Sequence, residues 1–179
     1  CYRILSKDFD PEVRGAISVK KDLPKHCPKC VKDLSKDRNG AVRAGIATRT
    51  DLKDSCPECF TRFGYDEIVE PDLQDIRVLY AIIRNPDLGE VCPSCIQNIF
   101  DTKRLRDEPI PLNYRIGIES IIASRDDLVD TCPECIKKLS KRVYKDILKN
   151  LFENKRAIAW LQKNEPELYE DARLRYLKR

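Results

Sequence analysis

Four copies of one short frame constrain this chain more than any other feature. They are Cys27-Pro28-Lys29-Cys30, Cys56-Pro57-Glu58-Cys59, Cys92-Pro93-Ser94-Cys95 and Cys132-Pro133-Glu134-Cys135. Eight of the nine cysteines lie in these frames, and Cys1 is left over. The match extends beyond the frames. Five residues before each first cysteine stands an aspartate (Asp22, Asp51, Asp87, Asp127), followed by a leucine (Leu23, Leu52, Leu88, Leu128). Ten residues before stands an isoleucine: Ile17, Ile46, Ile82 and Ile122. Four and seven residues after it are apolar: Val31 and Leu34, Phe60 and Phe63, Ile96 and Ile99, Ile136 and Leu139. A unit repeated at this length is the signature of an array whose members bury their apolar faces against one another.

Each unit reads as two short helices. The first opens near a proline, where a missing N–H costs nothing, as in Asp10-Pro11-Glu12 and Glu70-Pro71-Asp72. Val13, Ala16 and Ile17 then recur at helical spacing, as do Ile76, Leu79, Tyr80 and Ile83. The Asp-Leu pair ends that helix in a turn, with the aspartate expected to cap or shape it. The second helix starts at the frame, with the first cysteine (or Ser55 and Thr131 before it) at the N-cap and proline first in the helix. The fold class expected is all-α: a short right-handed solenoid of four units closed by a C-terminal helical cap. Residues 1–69 hold copies one and two, 70–140 copies three and four, and 141–179 the basic cap.

The segment Asp10-Pro11-Glu12-Val13-Arg14-Gly15-Ala16-Ile17, with Lys21-Asp22-Leu23-Pro24 and Leu34-Ser35-Lys36-Asp37, resembles the variant leucine-rich repeat. It is also similar to HEAT-like repeats, and Val42 to Leu52 matches in the same way. The resemblance covers roughly residues 7–140 and implies a right-handed α-solenoid used as a binding scaffold. This sequence departs from the family by carrying the cysteine frame in every unit.

Paired frames of this kind suit three chemistries. Structural zinc takes four thiolates tetrahedrally, and a helix N-terminus favours the thiolate. Eight cysteines make two complete sites, so two zinc ions per chain are expected. Stacking of neighbours assigns one ion to Cys27, Cys30, Cys56 and Cys59, and the other to Cys92, Cys95, Cys132 and Cys135. A cross-braced pairing of copies one with three and two with four is the alternative. Zinc would pin the array in two blocks, and chelation would then unfold it. Thiol–disulfide exchange also uses such frames at helix starts, but no βαβ pattern surrounds them. Iron is not excluded by the ligand set. Disulfides inside the frames would close only four-residue loops and staple little.

The net charge of +4 conceals a pattern. Residues 1–63 carry +5, residues 64–135 carry −8 and residues 136–179 carry +7. Arg14, Arg43, Arg77 and Arg115 recur near the start of each first helix. They form a ladder that meets either phosphates or the repeated aspartates. Past Cys132 the helix is expected to run on, with Ile136, Leu139, Val143, Ile147, Leu151, Ile158 and Leu161 on one face. Lys137, Lys138, Lys141, Arg142, Lys145 and Lys149 lie on the other. A last helix starts at Asn164-Glu165-Pro166, and Trp160 and Tyr176 pack in the cap.

No run approaches the roughly 20 apolar residues of a membrane span. No Gly-rich phosphate loop or catalytic triad is present, and His26, the one histidine, reads as a solvated turn residue. The expected function is therefore a non-catalytic, zinc-stabilised helical-repeat module. It would bind nucleic acid through Arg14, Arg43, Lys137, Lys138, Lys141, Arg142, Lys145 and Lys149. A protein–protein scaffold meeting an acidic partner is the alternative, and a thiol-redox or iron-site protein a third. No small-molecule substrate is expected, and the absence of a leader pattern suggests an intracellular chain.

Overall fold

The computed structural model describes residues 1–65, 73–101 and 111–178. The protein is all-helical, with 76% helix and no strand among the described residues. Contacts along the chain divide it into two compact units, Cys1–Cys95 and Ile96–Arg179.

In the first unit, α1 spans Tyr2–Leu5 and α2 spans Pro11–Ser18. Two short helices follow, α3 (Leu23–His26) and α4 (Pro28–Leu34). The same triplet recurs as α5 (Gly40–Ala47), α6 (Leu52–Ser55) and α7 (Pro57–Tyr65). It recurs again as α8 (Leu73–Arg84), α9 (Leu88–Val91) and α10 (Pro93–Asp101), with the division between the units falling inside α10, after Cys95. In the second unit it returns as α11 (Leu112–Ala123), α12 (Leu128–Thr131) and α13 (Pro133–Ser140). Then come α14 (Lys145–Glu153), α15 (Lys155–Asn164) and α16 (Pro166–Leu177).

Each copy thus has three helices where the sequence suggested two, because the Asp-Leu turn is itself one helical turn. Its leucine is fully buried in all four copies: Leu23, Leu52, Leu88 and Leu128. The N–H of each first cysteine donates to that leucine's carbonyl, as Cys27 does to Leu23 at 2.7 Å and Cys132 to Leu128 at 2.9 Å. The cysteine then leaves the helical region, with φ/ψ of −153/75 at Cys27 and −151/72 at Cys132. A residue before proline is pushed out of the α region by the proline ring, and proline then opens the next helix. The aspartates Asp22, Asp51, Asp87 and Asp127 precede the one-turn helices but make no side-chain cap. Asp51 and Asp127 instead receive the guanidinium forks of Arg49 and Arg125.

The core is built from the repeated apolar columns. Ile17, Ile46, Ile82 and Ile122 are buried, as are Val31, Phe60, Ile96 and Ile136. The first helices of successive copies pack on one another, α2 on α5 and α5 on α8. Gly45 allows the first crossing: a Cβ there would lie 2.0 Å from Ser18 Oγ and 3.1 Å from Ser18 Cβ.

The C-terminal segment differs from the single continuous helix expected after Cys132. The chain breaks between Ser140 and Lys145, and Val143 sits in that break, 51% exposed. The segment has the build of the repeat without its cysteines. α14 packs on α11. Glu165 has φ/ψ of −142/62, close to the first cysteines, and Pro166 opens α16 after it. Its N–H donates to Leu161 O at 2.8 Å, the bond each first cysteine makes to its leucine. Glu165-Pro166-Glu167-Leu168 therefore occupies the place of a Cys-Pro-x-Cys frame. Tyr176 stacks on Phe152 at 5.0 Å within this segment, while Trp160 is half-buried.

Candidate functional site

The structure brings the cysteines together two by two. Disulfides join Cys27 to Cys30, Cys56 to Cys59, Cys92 to Cys95 and Cys132 to Cys135, with Cα–Cα separations of 5.2–5.4 Å. All eight are buried, between 0% and 6% exposed. The local backbone permits this: the second cysteine lies one helical turn from a first cysteine that has already left the helix. The second cysteine also packs on the end of the preceding copy. Ser6 Oγ lies 3.4 Å from Cys30 Sγ, and Cys95 Sγ lies 3.6 Å from Phe60 O. Gly64 faces Cys95, where a Cβ would come within 2.6 Å of the sulfur. Ser6 and Gly64 hold the same register, one residue past the last apolar column, a register held by Ser35 in copy one and Ser140 in copy four but by Phe100 in copy three.

Zinc needs four donors at one point. Among the described residues no three His, Cys, Asp or Glu side chains are grouped so that they could hold a metal ion. As arranged, each pair is closed on itself by a disulfide, and a disulfide sulfur is not the thiolate ligand that the expected zinc centres need. His26 stands apart on the surface, 3.7 Å from Asp22.

Cysteine burial limits what these pairs can do chemically. Exchange with an external thiol needs an accessible sulfur and a stabilised thiolate. Buried pairs serve first as staples, each tying the start of one helix to the turn before it.

The candidate phosphate-binding cations are mostly engaged inside the protein. Arg14 is buried and forks onto Asp37 at 2.6 and 2.8 Å, with further bonds to Asp8 O and Phe9 O. The Asp37 carboxylate raises the Arg14 pKa, which fixes its charge. Arg43 donates to Asp37 O at 2.6 Å. Arg142 forks onto buried Glu119 at 2.8 and 2.7 Å. Lys138 pairs with Asp101, and Lys149 lies 3.9 Å from Glu153. Lys137 pairs with Glu165 and Glu134, which raise its pKa in that order. Lys141 and Lys145 are exposed.

These pairs reveal a register that chemical likeness concealed. Thirteen residues before the first cysteine stand Arg14, Arg43, Leu79 and Glu119, and ten after it stand Asp37 in copy one and Arg142 in copy four. The brace between these positions is Arg14–Asp37 in copy one and, with charges exchanged, Glu119–Arg142 in copy four. The ladder of Arg14, Arg43, Arg77 and Arg115 is therefore not one structural column.

A second column went unread in the sequence. Seven residues before the first cysteine stand Lys20, Arg49, Asn85 and Arg125. Arg49, 7% exposed, donates to Ser18 O at 2.9 Å and Lys20 O at 2.8 Å. Asn85 donates to Ala47 O and Arg49 O, and Asn154, eleven residues before Glu165, makes the corresponding pair of bonds to Ala123 O and Arg125 O. These side chains satisfy the orphan carbonyls at the end of the preceding copy's first helix. The signal was present as a column of long donors, but the residue type changes from copy to copy. A shallow groove of about 400 Å³ lies beside the first of these clamps, lined by Val19, Lys21, Thr48, Arg49 and Asp51 among others.

Comparison with protein families, with curated proteins and with solved structures finds no match. Among the described residues no helix is long and apolar enough to cross a membrane.

Proposed function

We propose that this protein is a non-catalytic helical-repeat scaffold that binds a protein partner, each cysteine-bearing unit closed by its own disulfide. The observation that carries this reading is the internal commitment of the cations expected to face phosphate. Arg14, buried against Asp37, and Arg142, forked onto Glu119, bind helices together. A phosphate surface needs cations free to displace counterions, and of the eight expected here Lys141 and Lys145 are the exposed ones outside the ion pairs described above. The burial of all eight paired sulfurs supports a staple over a redox centre.

A salt titration of binding to generic duplex DNA, single-stranded DNA and RNA tests the reading. The scaffold predicts no shift of nucleic acid at low salt. A complex whose affinity falls steeply with salt and weakens on replacing Lys141 and Lys145 would return the nucleic-acid reading. Metal analysis of the purified chain tests the staple: near two zinc ions per chain would replace disulfides with thiolate sites.

A further inference from the structure

The groove beside the Arg49 clamp, about 400 Å³ in volume, lies where α2 and α5 end, with Val19 and Lys21 from one copy and Thr48 and Thr50 from the next. Clefts of roughly 300–1,000 Å³ take small ligands, so this one has room for side chains rather than for a domain. Val19 and Thr48 stand eight residues before the first cysteine of their copies, and Lys21 and Thr50 six before. Both registers are also exposed in copies three and four, as Arg84, Pro86, Ser124 and Asp126. Stacking of a neighbouring copy therefore does not cover them, and the groove lies on a flank of the repeat.

Charge along this flank is uneven. The Arg49 guanidinium is committed, donating to Ser18 O, Lys20 O and Lys21 O and forking onto Asp51 at 2.8 and 2.7 Å. That fork neutralises the one carboxylate of the lining. Lys21 is exposed and makes no ion pair among the described residues. Arg84 holds the register of Val19 and Thr48 on α8, which packs on α5. It too is exposed, with no ion pair among the described residues, and its guanidinium carbon lies 5.5 Å from the centre of the Tyr80 ring. Val19 is 56% exposed. The row thus has an exposed aliphatic side chain with a cation beside it at one end, a hydroxyl in the middle and a second cation at the other end.

We propose that this groove docks an acidic segment of the protein partner, one that carries an aliphatic side chain between carboxylates. The inference rests on the scaffold reading above and names the chemistry of its partner. The aliphatic side chain enters against Val19 and covers it. The carboxylates to either side meet Lys21 and Arg84. Charge complementarity sets the class: the row offers two uncommitted cations, and the lining's carboxylate is already held by Arg49. A phosphate backbone could meet the cations but would leave Val19 in water.

The probe is a short fluorescein-labelled peptide in which one valine stands between two pairs of glutamates; its control carries glutamines in their place. Binding to the full chain is read by fluorescence anisotropy at low salt. The glutamate peptide is expected to bind about tenfold more tightly than the control, the combined effect of two exposed ion pairs. Lys21→Gln and Arg84→Gln should each weaken it about threefold. Val19→Ser should weaken it by a similar factor, about threefold, through lost apolar contact, and the preference for glutamate should fade with added salt. All three side chains are exposed, so the variants keep the fold. Lys141→Gln with Lys145→Gln, which removes the same charge elsewhere, should leave binding unchanged. Equal affinity for the two peptides would overturn the proposal. So would a loss from the Lys141 and Lys145 pair as large as that from Lys21 and Arg84, because binding would then follow net charge alone. An affinity untouched by Val19→Ser would place the peptide outside the groove and overturn it as well. Failure here leaves the nucleic-acid titration unaffected, so the two readings fail separately.

Discussion

At the scale of single residues, stability concentrates in a few buried charge pairs whose partners are fixed by register. Arg14 and Asp37 are 6% and 9% exposed at the side chain. Taking one partner away leaves the other charge buried and unpaired, which costs about 3 kcal/mol or more. Asp37→Asn is therefore expected to lower the urea midpoint strongly at neutral pH. Its pH dependence has a defined sign. Burial pushes the Asp37 carboxyl up, but the Arg14 fork, the Asn39 N–H and the nearby positive charge outweigh it and hold the carboxyl below its ordinary value. A depressed carboxylate contributes stability that is fully present above the unfolded value of about 4 and is lost as pH falls through the folded one. The gap between the wild type and Asp37→Asn should then close below about pH 4. A gap of the same size at pH 7 and pH 2.5 would show that the substitution acts through something other than the charge. In copy four the roles are exchanged, so Arg142→Ala should strand the buried Glu119 carboxylate at a cost of about 2 kcal/mol. Restoring stability with Glu119→Gln in the same chain would confirm that the loss comes from the stranded charge; no recovery would place it in lost packing.

At the scale of helices, close approach is permitted by small residues at two crossings. In Gly45→Ala the new Cβ meets Ser18 Oγ at 2.0 Å, and the neighbouring atoms Ser18 Cβ and Val19 Cγ1 lie at 3.1 and 3.2 Å. Alanine would otherwise favour the helix by about 1 kcal/mol, so a loss measures the clash. Overpacking of this kind costs about 1–3 kcal/mol. Calorimetry should show Gly45→Ala melting lower than wild type, and Gly45→Ala with Ser18→Gly recovering most of the difference. A Gly45→Ala protein as stable as wild type would mean that α2 and α5 are farther apart than described. Much of this level could be read from sequence. The prolines of the cysteine frames mark helix starts, and the buried Ile, Leu and aromatic columns follow from spacing alone. The one-turn helices were missed because one leucine and one backbone bond define them, with no apolar period to see. The C-terminal unit was missed because the frame was recognised by its cysteines, while Glu165 and Leu168 keep only its backbone. The arginine ladder failed for the opposite reason: residues were aligned by charge, whereas register places Leu79 and Glu119 in that column. The pairing of the cysteines was not in the spacing at all, since intra-frame closure and sharing between copies use the same residues.

At the scale of the molecule, the question is what holds units this short in a folded state. A closed loop of four residues removes conformational entropy worth about 2 kcal/mol from the unfolded chain. One such staple is small, as its loop length predicts, but four together amount to a sizeable share of the roughly 5–15 kcal/mol that separates folded from unfolded domains. Removing them together should therefore be felt across the cysteine-bearing copies. The C-terminal copy has no disulfide and relies on the Asn154 clamp and on Phe152 stacked against Tyr176. Hydrogen exchange read with and without a phosphine reductant separates these contributions. Protection should fall most in α4, α7, α10 and α13, which begin at the disulfides, and least in α14 and α16. A chelator without reductant should change neither the melting temperature nor the exchange pattern. If chelator alone strips protection from the frames, the thiols hold a metal in solution and the units are pinned in pairs. If the reductant lowers protection evenly through α14 and α16 as well, the cysteine-free copy has no stability of its own, and the disulfides support the whole array.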